Sequence, residues 1–578
     1  MYMQYRESFA SKEGSFNLGT HPAGWTVPIS GIGFAPKVVL FWWSGRSGSV
    51  DATGGADIAR GFGVAVSPSD RRAVYTQSQD GVGTPSTHSG HHNANAIGAL
   101  TTAGAVDGLA DLQSMDSGGF TLVITDAFTI NLRVHYLALG GSDLTNMATG
   151  ILTEPGATGN QDITALSFQP DAVIFFSSMV SADPPGTQTD ATMMIGAAAG
   201  ATPANAVWAG GSDNSNTPTQ TVSYNRAGES IALLDTTVSS TNARASVSQW
   251  LSNGFRLNWA ERGGSRRVEY VALKGGLYVV GDLLTRTDTT TPIVEAGFGF
   301  SPKAGLLLSN TQAQSSSDTV QNDDAWSAGA FTSSTERGAQ GSRDRDNQGT
   351  SQTATSVQYS EAYVRLSTTD TVDGLMDIQS VDSDGFTSIM DDADPSAAFV
   401  SYIAFGSRKA EAEIRYDWTG VPSGTSYTLR IRGYRTDEDF QVQVLTPPST
   451  WTTRITIIAT TSTLYEYTLS GAEYNSGAPS IRFVDATTTD STLSDLYLDV
   501  VVIASTASRL LVDSPSDNPT IIVRAPNDAT YGATSGGIYW KPSGSSTYFF
   551  RIPEFELIFL PILVVLLFGL LRRRSPPD

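Results

Sequence analysis

Apolar residues come in short runs along this chain, and the runs are dense in β-branched and aromatic side chains. Val38 to Trp43, Ala172 to Phe176, Thr121 to Ile124 and Val134 to Leu139 are examples, separated by clusters of Gly, Pro, Ser, Thr, Asn and Asp. Such runs between such punctuation predict strands and turns. No amphipathic helical stretch longer than about two turns interrupts them in the first 500 residues, where an ordinary helix has about 11 residues. The expected fold class is therefore all-β. Strand alternation sends one of the adjacent Trp42 and Trp43 away from the core that its neighbour enters.

The runs are organised in three copies. Gly33-Phe34-Ala35-Pro36-Lys37-Val38 returns as Ser167-Phe168-Gln169-Pro170-Asp171-Ala172 and as Gly299-Phe300-Ser301-Pro302-Lys303-Ala304. A closing phrase follows each: Val134-His135-Tyr136-Leu137-Ala138-Leu139-Gly140, Val268-Glu269-Tyr270-Val271-Ala272-Leu273 and Val400-Ser401-Tyr402-Ile403-Ala404-Phe405-Gly406. Phe34 to Tyr136, Phe168 to Tyr270 and Phe300 to Tyr402 all span 102 residues. A third mark, Gly119-Phe120, Gly254-Phe255 and Gly385-Phe386, lies between them. This is one domain copied in tandem. The period is too long for a solenoid unit, so each copy is expected to own its core. The expectation is three jelly-roll-like β-sandwich repeats at 5–141, 142–276 and 277–407, standing as a rod.

After Gly406 the pattern changes. Seven alternating runs between Ile414 and Val502 predict a fourth, different β-sandwich over 411–505. Residues 506–552 read as a stalk, and an apolar run from Leu557 to Leu571 ends on Arg572-Arg573-Arg574. At about 1.5 Å per residue that run is short against a roughly 30 Å hydrocarbon core, but flanking residues extend its reach. It is expected to be a single C-terminal transmembrane helix over 553–574. The arginine cluster places the large N-terminal body outside. Met1 to Lys12 contains no apolar leader, which leaves the route of the body across a membrane open.

Composition narrows the chemistry. The net charge of −21 argues against nucleic-acid binding by the body. The 578 residues contain no cysteine, which removes disulfides and thiolate metal sites. No nucleophile elbow, His-Glu-x-x-His pair, phosphate loop or dinucleotide fingerprint occurs, so no catalytic residue, cofactor or metal is assigned and the chain is read as a non-enzyme. His88, His91 and His92 are dense enough for a metal, but copies two and three carry no histidine at those offsets, and a hydrophilic loop is the simpler reading. Asp107, Asp111 and Asp116 recur as Asp373, Asp377 and Asp382, where turn duty competes with calcium. Three equal sites would multiply avidity more usefully than catalysis. The Ser-, Asn- and Gln-rich middles of the copies, 67–100, 201–229 and 333–360, are expected to be loops at sandwich ends, where recognition resides. His88, Trp208 and Arg343 are the candidate binding residues there, with Trp208 the candidate anchor.

Three resemblances colour this picture. The Gly-Phe-x-Pro-Lys opening with its Asp-Ser-x-Gly-Phe and Tyr-x-Ala-Leu-Gly marks, across 5–406, resembles repeats of phage and viral tail or surface proteins. Asp490 to Val501 resembles the closing strand of carbohydrate-binding and galactose-binding-like jelly rolls. Pro553-Glu554-Phe555, the apolar run and Arg572 to Arg574 resemble the archaeal PEF-type C-terminal sorting signal. In that family the helix holds the protein until a sortase-like enzyme cuts near the motif. The resemblances imply a membrane-anchored recognition protein at a virion or cell surface, with a host-surface glycan or receptor as partner and a possible homo-oligomeric state. A viral spike or fibre is the first reading and an archaeal cell-surface adhesin the second. A secreted glycoside hydrolase with binding repeats is the third, because paired carboxylates are invisible in sequence.

Overall fold

The computed structural model describes residues 9–45, 51–200, 204–214, 218–235, 240–311, 313, 320–407, 413–417, 426–435, 439–448, 450–485 and 495–505, together with the strands Ile521–Arg524, Gly537–Trp540 and Tyr548–Arg551. The anchor residues Pro553, Glu554, Phe555, Arg572, Arg573 and Arg574 lie outside them. Among the described residues no helix is long and apolar enough to cross a membrane. The described residues divide into two compact units, 9–407 and those from 413 onward.

Within 9–407 each copy is a sandwich of antiparallel sheets, and the connectivity is not that of a jelly roll. In copy 1 the inner sheet runs Ala10–Asn17, Arg133–Gly140, Pro36–Trp43, Ile58–Ser67, Asp70–Ser78, Thr87–His92. The outer sheet runs Thr26–Ser30, Gly119–Asp126, Val106–Asp116, Ile97–Leu100. Four strands of the inner sheet meander in chain order, with only Ala52–Gly55 intervening, and three consecutive strands meander in the outer, whereas a jelly roll winds as Greek keys between its sheets. Copies 2 and 3 repeat this order.

Each inner sheet then takes a seventh strand from another copy. Gly186–Thr189 of copy 2 pairs with Thr87–His92 of copy 1. Gln321–Asn322 of copy 3 pairs with Thr221–Ala227 of copy 2. Ala52–Gly55 of copy 1 pairs with Thr353–Gln358 of copy 3. The exchange is cyclic, so the three copies close on one another rather than standing in a row. The donated strands cover edges that would otherwise present unpaired backbone groups.

This closure explains the apolar runs. Pro36–Trp43 is buried on both faces, with Val38, Leu40 and Trp42 on one side and Val39, Phe41 and Trp43 on the other. The second set packs against copy 1's own outer sheet. The first joins Ile174, Phe176, Leu306 and Leu308 in a core drawn from all three copies. Each copy has its own core, as expected, and shares a further one. Both Trp42 and Trp43 are only 1% exposed.

The shared marks are close-packing devices. Tyr136, Tyr270 and Tyr402 lie directly opposite Gly14, Gly150 and Gly281 on the first strand of each copy. A Cβ at these glycines would sit 2.5, 2.1 and 2.3 Å from the tyrosine ring or hydroxyl. Each ring therefore lies across the bare backbone and meets the phenylalanine of the third mark edge-on, at centroid distances of 5.3, 5.2 and 5.4 Å. Gly119, Gly254 and Gly385 admit a neighbouring carbonyl oxygen, which would be 1.9, 1.8 and 1.9 Å from any Cβ. In copy 2, Asp171 and Lys274 replace the Lys and Gly of the other copies and pair at 3.1 Å.

In the second unit the seven expected strands form, from Glu413–Asp417 to Asp495–Ser505, around a core including Leu429, Ile431, Val442, Phe483 and Leu498. An eighth, Ile521–Arg524, pairs with Asp495–Ser505 and comes from the segment read as a stalk.

Candidate functional site

The described residues of the variable middles are mostly strands, and they build the seams between copies. Thr87–His92, Thr221–Ala227 and Thr353–Gln358 occupy equivalent places, each against the next copy. At the first seam His91 Nδ1 meets Glu269 Oε1 at 2.6 Å, both side chains 1% exposed. At the same level of the second, Asn225 Nδ2 donates to Ser401 Oγ at 3.1 Å, and Ser401 donates to Asp282 at 2.6 Å. At the third, the His135 ring packs 5.6 Å from that of Tyr359, and His135 Nδ1 meets Glu13 at 2.9 Å. Burial pushes the Glu13 carboxyl up, against the opposing pull of His135.

The third seam also holds a buried ion pair. Arg60 of copy 1 donates to both carboxylate oxygens of Asp324 of copy 3 at 2.7 and 2.9 Å, to Ser342 Oγ at 3.2 Å, and lies 5.4 Å from the Trp326 ring centre. Asp344 lies directly across the strands from Asp324, and burial first, then the Asp324 charge, raise its carboxyl well above the usual range. Beyond this level the hairpin loops near residues 82, 214 and 348 bond one another. Gly81 N donates to Ser351 O, Asn214 N to Pro85 O and Thr219 N to Gln348 O, at 3.0, 3.0 and 2.8 Å.

None of the three candidate binding residues is presented on a loop. Trp208 is fully buried in copy 2's core, its Nε1 3.1 Å from the Met179 sulfur. Arg343 is 8% exposed and donates to Asp323 and, at 2.6 Å, to the Leu366 carbonyl. His88 is half-buried in the strand Thr87–His92 against Gly104. The Ser-, Asn- and Gln-rich composition that suggested loops belongs to strands at the seams, where some polar side chains bond across, as Ser89 to the Asp190 carbonyl and Thr221 to the Asp344 carbonyl, and others, such as those of Gln77 and Ser223, are buried without a hydrogen-bond partner.

The histidines do not converge. His91 enters the first seam, and His88 and His92, on the opposite face of the strand, are four residues or about 13 Å apart along it. Among the described residues no group of three His, Asp or Glu is placed to hold a metal. The recurring aspartates are braces. Asp116 accepts from Ser114 and Thr121 at 2.8 Å each, and Asp382 accepts identically from Ser380 and Thr387. Asp111 and Asp377 pair across the sandwich with Arg71 and Arg337, and copy 2, with Ala204 and Ser246 at these places, has lost both partners together.

Copy 3 concentrates perturbed carboxyls. Burial, with Asp391 and Asp377 nearby, pushes Glu361 up to about 7. Burial likewise raises Asp377 and Asp394 to about 6, against the pull of Arg337 on the first and of Thr285 and Arg365 on the second.

Among the described residues the exposed aromatic is Trp25, half exposed on the turn before Thr26–Ser30 and unremarked by sequence reasoning. Its signal was the absence of any counterpart, since the equivalent positions in copies 2 and 3 are Gly159 and Thr291. No family model matches the chain, and no curated protein or solved structure is detectably similar to it.

Proposed function

We propose that the chain is a surface recognition protein whose three-copy unit is a rigid display body. A viral spike or fibre contacting a host surface is the simplest setting. The observation that carries the reading is the cyclic strand exchange. It consumes the variable middles in internal seams and leaves the outer faces of three equivalent sheets and their turns as the presenting surface. Those faces are polar and partly exposed, as in Thr26–Ser30, Gly254–Glu261 and Gly385–Asp392. Recognition from a rigid frame loses little freedom on binding. The partner in this reading is a host-surface glycan or receptor, and the C-terminal apolar run anchors the protein in a lipid membrane with the body outside.

A second reading, an archaeal adhesin, is favoured by Pro553-Glu554-Phe555 and the arginines that follow the apolar run. Flow cytometry of labelled full-length protein on candidate host cells, before and after enzymatic removal of surface glycans or proteins, tests the shared claim. Saturable binding lost after one treatment supports recognition. No binding to any host surface, or turnover of a polysaccharide by the pure protein, would replace it with a spacer or a hydrolase.

A further inference from the structure

We infer that Trp25, backed by the His21 ring stacked on it, forms a stacking platform for a single sugar ring, carried by copy 1 alone. The inference rests on the recognition reading and names a site for it. Trp25 is the one aromatic among the exposed large hydrophobic side chains of the described residues, at 50% exposure. The fold does not require it, because glycine and threonine hold the same register position in the sister copies.

The position is built. Gly24 N donates to Ile124 O at 2.7 Å, Ile124 N to Trp25 O at 2.8 Å and Trp25 N to Pro22 O at 3.1 Å, so the backbone is tied on both sides. The His21 ring lies parallel to the indole, with centroids 4.5 Å apart and planes 12° apart. His21 in turn rests against Gly19, whose N–H donates to Asn131 Oδ1 at 2.8 Å. The side chain is thus oriented before any ligand arrives, which limits the ordering cost of binding.

The chemistry selects the ligand class. An indole face is electron-rich and attracts the polarised C–H face of a pyranose. Asp126, exposed at the end of the strand that ties Trp25, offers carboxylate acceptors for sugar hydroxyls. One ring is too small for a protein interface, which needs roughly 1,000 Å². The net charge of −21 disfavours polyanions.

Full-length Trp25→Ala, Trp25→Tyr and His21→Ala are compared with the parent protein on a printed glycan array and on host cells, with melting temperature as the fold control. The expected result is unchanged melting, binding reduced about tenfold or more by Trp25→Ala, and partial retention by Trp25→Tyr. Bound glycan should also shield Trp25 from acrylamide quenching. Host binding undiminished in Trp25→Ala would overturn the platform and leave the recognition reading standing. An effect confined to self-association in sedimentation would overturn it in favour of a contact with a second copy. Failure of the parent protein to bind either surface would overturn both.

Discussion

Removing one partner of the Arg60–Asp324 pair should weaken the whole three-copy unit, and removing both should restore it. Both side chains are 1% exposed and joined by two charge-assisted bonds. In Asp324→Ala the guanidinium keeps the Ser342 bond, the Trp326 face and the electrostatic pull of Asp344 across the strands, but no carboxylate bonded to it. Stranding a buried charge in this way costs about 3–5 kcal/mol, or two to nearly four orders of magnitude in the folding constant. The sister copies show the apolar solution. Two residues before the paired Phe62, Ile195 and Ala328 stand Arg60, Met193 and Trp326, and four before stand Ile58, Ala191 and Asp324. Arg60→Met with Asp324→Ile therefore installs residues the fold already uses, and should unfold within about 1 kcal/mol of the parent or later. Urea titration followed by fluorescence reads both variants. A loss below about 1 kcal/mol for Asp324→Ala would refute the buried pair, and a double variant as weak as the single would refute the argument from equivalent positions.

Other expectations follow from the same geometry. Gly150→Ala should lower stability by about 1–3 kcal/mol by displacing the Tyr270 ring, measured by calorimetry. Trp208→Ala should destabilise copy 2 by about 3–5 kcal/mol, a core loss visible as earlier melting rather than a selective loss of binding. Glu361, Asp377 and Asp394 hold protons more tightly folded than unfolded, with values raised to about 7, 6 and 6. Their contribution is fully present below the unfolded carboxyl range and is lost as pH rises through about 6 to 7. Melting temperature should rise between pH 8 and pH 5, and Glu361→Gln should flatten the rise; a fall on acidification would contradict the assignment.

The tandem frame and its strands were legible because Phe34, Tyr136, Phe120 and their counterparts carry packing that no copy can drop. So were the seven strands of the second unit, where alternation marks one buried face. The closure was written less plainly. Six apolar residues in a row from Val38 to Trp43 denote a strand buried on both faces, as in sheets covered twice. Reading them by alternation turned one tryptophan outward. Gly14, Gly150 and Gly281 escaped notice because a bare glycine announces nothing until the opposite ring is known. The seams were illegible for a deeper reason. His91 with Glu269, and Asn225 with Ser401, solve the same contact with different chemistry, so drift between copies looked like loop variation. Trp25 was passed over because nothing in a single turn separates an exposed indole from a buried one.

The cyclic strand exchange is tested most directly by cross-linking copy 1 to copy 3. Thr53 and Ser356 are directly paired, their hydroxyl oxygens 2.8 Å apart across 303 residues of sequence. The chain has no cysteine, so Thr53→Cys with Ser356→Cys introduces one defined pair. Opposed strand positions hold their Cβ atoms about 4.5–5.5 Å apart, at the upper edge of the roughly 3.5–4.5 Å a disulfide spans, so a small strand adjustment closes the bond. Mild oxidation should give a monomeric, cross-linked species with altered mobility on a non-reducing gel, at any protein concentration and in high yield. Free thiols after oxidation, or only concentration-dependent dimers, would contradict the closed arrangement and return the copies to a row.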